Sequence, residues 1–263
     1  MDLQLKDKLA LVSGSTAGIG YAIAETLAAE GARVIVNGRT GAGVDAARDS
    51  IRKSTGHETL GFAGDLSDAA VADALVGKHP GIQVLVNNLG IFEAKAFEEI
   101  PDADWVRFFE VNVLSGARLA RLVLPAMRRA NWGRIVFISS ESGMHIPAEM
   151  VHYGMTKAAQ IAVARGIAET VAGTGITVNS VLPGPTRSRG VGDFVEQLAR
   201  EQGTTGAQVE KEFFAHVRPT SLIKRFSTTH EVASMVAYLA SPLASSTTGA
   251  ALRVDGGTVK SAF

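Results

Sequence analysis

Short apolar runs, many of them β-branched, alternate with longer amphipathic stretches along almost the whole chain. That alternation is the sequence form of repeated strand–helix units on a parallel sheet. Seven strands are predicted, at 8–13, 33–37, 59–63, 83–87, 134–139, 177–182 and 250–254. Most are continuous rather than alternating, as in Ala10-Leu11-Val12 and Ile135-Val136-Phe137-Ile138, which suits strands covered by helices on both faces. Helical periodicity is clearest after Gly20, over 102–129 and over 151–172. The last of these is apolar or small over more than one face, so a sheet alone cannot bury it and a subunit interface is expected there. With 263 residues, 46% of them hydrophobic, and no linker or repeat, one domain over 1–263 is expected. The rhythm breaks only between about Pro183 and Thr229. An insertion of that kind at a strand's carboxyl end commonly covers a ligand site, so a lid is expected at about 186–228.

Composition narrows the partners. Lys and Arg together number 26 and Asp and Glu 26, so no long-range field gathers phosphate backbones or anionic lipid. Nucleic acid and membrane surfaces are therefore not expected partners, and a small molecule is. The absence of cysteine excludes disulfides, a thiolate nucleophile and Cys-ligated zinc, and fits a reducing cytoplasm. The six histidines show no pair at metal-ligand helical spacing, and no metal is assigned. The amino terminus lacks the pattern of a signal peptide, and no apolar run approaches the roughly twenty residues that span a bilayer. A soluble, cytoplasmic protein is the expectation.

The segment Ser13-Gly14-Ser15-Thr16-Ala17-Gly18-Ile19-Gly20 follows the first predicted strand and opens a helix. Such a turn needs Gly14 where the backbone bends, Gly18 where a side chain would block a pyrophosphate, and Gly20 where helix and sheet pack closely. Free N–H groups at the helix start then meet the phosphate charge. The spacing departs from the commonest dinucleotide fingerprint, and its placement at the first strand–helix crossing gives it weight. The fold class expected is α/β: a Rossmann-type, doubly wound, seven-stranded parallel sheet with helices on both faces. About twenty residues further on, the second strand ends in Val36-Asn37-Gly38-Arg39-Thr40, where an acid would hold the ribose hydroxyls of NAD. There is no acid. A guanidinium at Arg39 can pair with a 2′-phosphate, which favours NADP, with NAD as the alternative and a solvated surface role for Arg39 still open.

Ser139 and Ser140 end the fifth strand, and Tyr153-Gly154-Met155-Thr156-Lys157 lies on the following helix. Four residues make about one turn, so Tyr153 and Lys157 share a face. A phenol with an ordinary pKa near 10 is a poor proton carrier at neutral pH, and a nearby ammonium would stabilise its anion. In carbonyl reduction Ser140 would bond the carbonyl oxygen, Tyr153 would deliver its proton and Lys157 would support the phenolate. Taken alone, such a Tyr/Lys pair also fits an ordinary surface pair.

Taken together the motifs resemble the short-chain dehydrogenase/reductase family over nearly the whole chain. They include the glycine turn, Asp65-Leu66, Asn87-Asn88-Leu89-Gly90, Asn112, Ser140 thirteen positions before Tyr153, Lys157, Pro183-Gly184 with Thr186, and Val254-Asp255-Gly256-Gly257. The resemblance implies that Gly14, Ser15, Thr16, Gly18, Ile19 and Gly20 cradle the cofactor's pyrophosphate. It places Asp65 and Leu66 at the adenine, Asn88 and Gly90 at the adenosine ribose, Tyr153 and Lys157 at the nicotinamide ribose, and Pro183, Gly184 and Thr186 at the nicotinamide. Asn112 would kink its helix and anchor a water passing protons through Lys157 to Tyr153, completing a tetrad of Asn112, Ser140, Tyr153 and Lys157. A homotetramer is also implied. Two departures stand out: Leu89 replaces the usual alanine, and Ser13 the usual threonine.

The activity expected is interconversion of a ketone and a secondary alcohol, preferring NADP(H). Alternatives are an NAD-dependent alcohol or polyol dehydrogenase, a 3-oxoacyl carrier-protein reductase docking through Arg128 and Arg129, and a nucleotide-binding protein without chemistry. The pocket is expected to draw on Glu141, Ser142, His145, Ile146 and His152, and on Arg187, Arg189, Phe194, Phe213, Phe214 and His216. Each of these also fits an ordinary packing or surface role.

Overall fold

In the computed structural model, which describes residues 1–262 and, within them, not the side chains of Arg189, Gly190 and Phe194, the predicted alternation becomes a three-layer sandwich. Its elements run β1 (Leu9–Val12), α1 (Gly18–Ala29), β2 (Arg33–Gly38), α2 (Gly41–Thr55), β3 (Leu60–Ala63), α3 (Ala69–Lys78), β4 (Val84–Asn87), α4 (Asp102–Phe109), α5 (Ser115–Ala130), β5 (Gly133–Ile138), α6 (Val151–Thr170) and β6 (Ile176–Pro183). They continue with β7 (Thr186–Arg187), α7 (Arg189–Glu201), α8 (Gly206–Glu212), β8 (Ser227–Thr228), α9 (Thr229–Ala240) and β9 (Ala251–Val254). Seven strands form one sheet in the order β3-β2-β1-β4-β5-β6-β9, and every pairing in it is parallel. This is the doubly wound arrangement read from the sequence, and all seven expected strands are present with ends shifted by a residue or two.

Successive residues of a strand point to opposite faces, and here each face has its own helix layer. Ala10, Val12, Val34, Val36, Val84 and Val86 pack with α1, α2 and α9. Leu11, Ile35, Leu85, Ile135 and Phe137 pack with α3, α5 and α6. Both faces are dry, which is why the strands read as unbroken apolar runs.

The long helix expected over 102–129 is divided. A π-helical turn at Glu110–Leu114 separates α4 from α5, and the fully buried Asn112 sits inside it. Such a bulge bends a helix, as the resemblance implied for this position. The irregular stretch after β6 holds two elements the sequence did not announce, β7 and β8, which pair with each other in parallel. Between them α7, α8 and a π-helical turn at Phe213–Val217 close a small core of their own from Val195, Ala199, Val209, Phe214 and Phe226.

Candidate active site

The strand order reverses between β1 and β4, and in a sheet of this kind ligands bind in the crevice beyond the strands' carboxyl ends at that point. The Ser13 hydroxyl stitches the crevice together by accepting the N–H groups of Asn88 at 2.9 Å and Leu89 at 3.0 Å. Asn88 in turn donates through Nδ2 to the carbonyls of Ser13 and Gly14, each at 3.0 Å, so its amide braces the glycine turn. Gly14 and Gly18 have φ of 60° and 59°, a region costly for residues with a Cβ. At Gly20 a Cβ would stand 2.4 Å from Asn88 Nδ2 and 2.5 Å from the Gly14 oxygen, so glycine alone fits. No side chain caps α1, and the N–H groups of Gly18, Ile19 and Gly20 have no partner among the described residues. A Cβ placed on Gly18 would meet only Ser188, at 3.6 Å, so the approach to those donors is open. Uncapped donors at the positive end of a helix, reached past a residue without a side chain, fit the diphosphate of NAD(P).

Around this turn some expectations need revision. Ser15 is fully buried, donating to the Val12 carbonyl at 2.7 Å and accepting the Asn37 N–H at 2.9 Å. Its hydroxyl is consumed in tying β1 to β2, so it shapes the turn and offers no side-chain contact to a ligand. Thr16 packs its methyl over Gly38, where a Cβ would be 2.4 Å away. Arg39 lies exposed past the end of β2 without a hydrogen bond or ion pair to the described residues. Asp65 is exposed after β3, one carboxylate oxygen accepting from the N–H and hydroxyl of Ser67, whereas the Leu66 side chain is buried in the core. Leu89 also packs against the core, its Cδ1 3.6 Å from where a Gly14 Cβ would lie.

At the ends of β4 and β5 the remaining candidates converge. The Ser139 hydroxyl donates to the Lys157 carbonyl at 2.7 Å, fixing α6 against the end of β5. Tyr153 and Lys157 share a face, Lys157 Nζ lying 5.5 Å from the Tyr153 ring centroid. A Cβ on Gly90 would be 3.5 Å from Asn112 Oδ1 and 3.6 Å from Lys157 Nζ, so this glycine keeps the loop clear over both. Asn112 exchanges hydrogen bonds with the backbone of Ile91, accepting at 2.7 Å and donating at 2.9 Å, and also donates to Thr156 at 3.0 Å. One participant escaped the sequence reading. Gln160, 1% exposed, accepts from Lys157 Nζ at 3.0 Å and donates to the Asn112 carbonyl at 2.6 Å. Its spacing three residues after Lys157 was the available signal, since positions i and i+3 share a helix face. The backbone carbonyl of Asn112 thus already accepts from an amide.

The electrostatics also differ from expectation. Burial pushes the Tyr153 phenol up to about 12, with Ser140 lowering it and the Glu141 charge raising it further. Burial brings the Lys157 ammonium down to about 7. Rather than the amine acidifying the phenol, each group is driven toward its neutral form, because both leave water together. Lys157 donates to the Ile138 carbonyl at 2.9 Å and to Gln160, and neutral acceptors do not replace a hydration shell.

Around the opening, Pro183 ends β6, Gly184 follows it, and Thr186 donates to the Gly184 carbonyl at 2.8 Å. A Cβ on Gly184 would be 2.7 Å from the backbone of Asp255, which explains the glycine. Several pocket candidates are engaged elsewhere. His152 is buried against Phe108 at a centroid distance of 4.1 Å, Phe213 and Phe214 pack with Phe226, and Arg187 pairs with Glu210. Glu141 and Ser142 are buried, and His145, Ile146 and His216 are exposed. Arg189 and Phe194 lie outside the described side chains.

Residues 14–259 match the family model described as enoyl-(acyl carrier protein) reductase. The chain is 46% identical to the uncharacterised oxidoreductase YvrD of Bacillus subtilis (strain 168), over 99% of this chain and 100% of that one. It is 34% identical to a D-beta-hydroxybutyrate dehydrogenase of Cupriavidus necator, over 97% of this chain and 99% of that one. The crystal structure of L-sorbose reductase from Gluconobacter frateurii, complexed with NADPH and L-sorbose, superimposes with a TM-score of 0.93 at 29% identity, covering 99% of this chain and 100% of that one. Among the described residues no helix is long and apolar enough to cross a membrane. Sheet order, glycine turn and these end-to-end matches agree: the chain belongs to the short-chain dehydrogenase/reductase family of NAD(P)-dependent oxidoreductases.

Proposed function

We propose that the protein interconverts a ketone and a secondary alcohol with NADP(H) as its preferred cofactor, using Ser140, Tyr153, Lys157 and Asn112. The observation that carries this reading is the meeting of Ser140, Tyr153 and Lys157 at the carboxyl ends of the strands, beside an uncapped glycine turn. The nicotinamide, when bound, supplies or accepts the hydride. Ser140 orients the carbonyl oxygen by a hydrogen bond, and Tyr153 gives that oxygen its proton in reduction or takes it back in oxidation. Lys157, brought down to about 7 by burial, steadies the phenolate in its ammonium form. Gly14, Thr16, Gly18, Ile19 and Gly20 hold the diphosphate, with Asp65, Leu66, Asn88 and Gly90 along the adenosine and Pro183, Gly184 and Thr186 along the nicotinamide. The segment 186–228 acts as the lid. The apolar groove where α5 meets α6, lined by Ala117, Leu124, Pro125, Val163 and Ile167, is the face through which copies associate toward a tetramer, to be read by light scattering.

An activity screen of ketones and alcohols with both cofactors tests the reading. Oxidation of NADPH by at least one ketone is expected, and inertness toward all of them with cofactor bound would favour a nucleotide-binding protein without chemistry. The preference for NADP rests on the unpartnered Arg39 at the end of β2. In Arg39→Asp the affinity for NADPH falls tenfold or more while that for NADH holds or rises, because a 2′-phosphate loses its cation and meets a carboxylate. Isothermal titration with both nucleotides checks this, and tighter NADH binding by the unaltered protein would reverse the assignment.

Gln160 belongs to this site as a positioning residue. In Gln160→Leu the Lys157 ammonium keeps one of its two acceptors and the Asn112 carbonyl loses its donor. We expect kcat to drop about tenfold and the pH profile to move toward acid as Lys157 becomes still harder to charge, with the fold retained by circular dichroism. A purely structural role for Gln160 would lower thermal stability and leave the pH profile in place.

A further inference from the structure

Building on the reductase reading above, we propose that the site selects neutral ketones carrying an apolar arm and turns away substrates with a carboxylate close to the carbonyl. Charge and exposed apolar surface, two separate observations, point the same way.

Glu141 follows Ser140 directly and is 3% exposed. One of its oxygens accepts from Arg218 Nε at 3.2 Å, and the other is buried with no hydrogen-bond partner among the described residues. Arg218 comes from the end of the π-helical turn between α8 and β8, and its Nη1 also lies 3.8 Å from Glu149. The guanidinium therefore stands between two carboxylates, and with both ionised the group of three carries one excess negative charge, while burial pushes the Glu141 carboxyl up from its ordinary value. The guanidinium cannot be lent to a substrate anion: leaving Glu141 would strand a buried carboxylate whose second oxygen already lacks a donor, and an unpaired buried charge is far costlier than a pair. An incoming carboxylate would instead add a third negative charge at short range. The other groups facing Glu141 do not reverse this, since His145 is exposed and Asp255 is acidic. Lys95 is paired with Asp104 and Glu93 and Arg187 with Glu210, and Lys157, in the site itself, is driven toward its neutral form by burial.

The uncommitted surface is apolar. Phe92, on the loop after β4, is 71% exposed and presents its ring edge-to-face with Tyr153 at a centroid distance of 6.4 Å. Ile146 packs over Gly154, next to Tyr153, where a Cβ would be 2.5 Å from its methyl, yet stays exposed on its other side, as do Met144 on the same loop and Val217 beside Arg218. Phe92 and Ile146, exposed apolar side chains on loops beside the reacting phenol, gain by covering an apolar arm of a substrate.

The test compares ethyl 3-oxobutanoate with 3-oxobutanoate, and 2-octanone with 2-butanone, at saturating NADPH and pH 7. Expected are a kcat/KM at least tenfold higher for the ester than for the acid and severalfold higher for the longer ketone. Glu149→Gln, at a half-exposed position that tolerates the change, should raise kcat/KM for the acid severalfold with little effect on the ester, and Phe92→Ala should lower it for 2-octanone more than for 2-butanone. An acid used as well as its ester, or L-sorbose reduced faster than any apolar ketone, overturns the inference and leaves the reductase reading standing. No turnover of any of these while NADPH binds overturns both.

Discussion

Tyr153→Phe is expected to bind NADPH within about twofold of the unaltered protein while kcat falls by about 10²- to 10⁴-fold, the range that removal of a positioned general acid commands. The phenylalanine keeps the ring that packs edge-to-face on Phe92 and removes only the hydroxyl opposite Ser140. Single-turnover rates with NADPH already bound separate this from a loss of binding. The raised phenol pKa of about 12 gives the reaction an asymmetric pH response in the unaltered protein. Reduction needs the protonated phenol, which is fully populated from pH 6 to 9, so its rate is flat on that account. Oxidation needs the phenolate, whose population grows with hydroxide, so its rate climbs by up to about tenfold per pH unit over the same range. Full activity of Tyr153→Phe across the ketone panel would remove the phenol from the mechanism.

Lys157→Ala should be equally damaging and in a different way. Its side chain is buried, donates to Ile138 and Gln160, and lies beneath the loop carrying Gly90. On the proposed mechanism, removing it takes away the support of the phenolate and a wall of the nicotinamide ribose site together. We expect kcat to drop by about 10³-fold or more and NADPH affinity to weaken by at least tenfold, a double loss that Tyr153→Phe does not show. Equilibrium titration alongside turnover distinguishes the two variants. Unchanged cofactor affinity in Lys157→Ala would confine the lysine to the proton path.

Most of the fold was legible because the signals that specify it are local. A strand dry on both faces must be an unbroken apolar run, and Ile135-Val136-Phe137-Ile138 is one whose members divide between the two helix layers. Gly14, Gly18 and Gly20 were readable for the same reason, since positive φ at the first two is costly for residues with a Cβ and contact at 2.4 Å excludes one at the third. Gln160 and Arg218 were not readable. Each acts on a partner far away in the chain, Gln160 on Asn112 and Arg218 on Glu141, and neither residue type announces such a partner. Ser15 and His152 misled for a related reason: a polar side chain in a promising segment faces the core as readily as the cleft, and both of these face the core.

The sequence alone determined the sheet, the cofactor turn and the pairing of a tyrosine with a lysine on one helical face, because strand period, glycine conformation and helical spacing depend only on neighbours along the chain. The tertiary structure decided the protonation of that pair, drawing the amine toward about 7 and the phenol toward about 12. A pKa follows from how much water a group loses and which charges replace it, and those are supplied by residues from separate elements that meet only when the chain has folded.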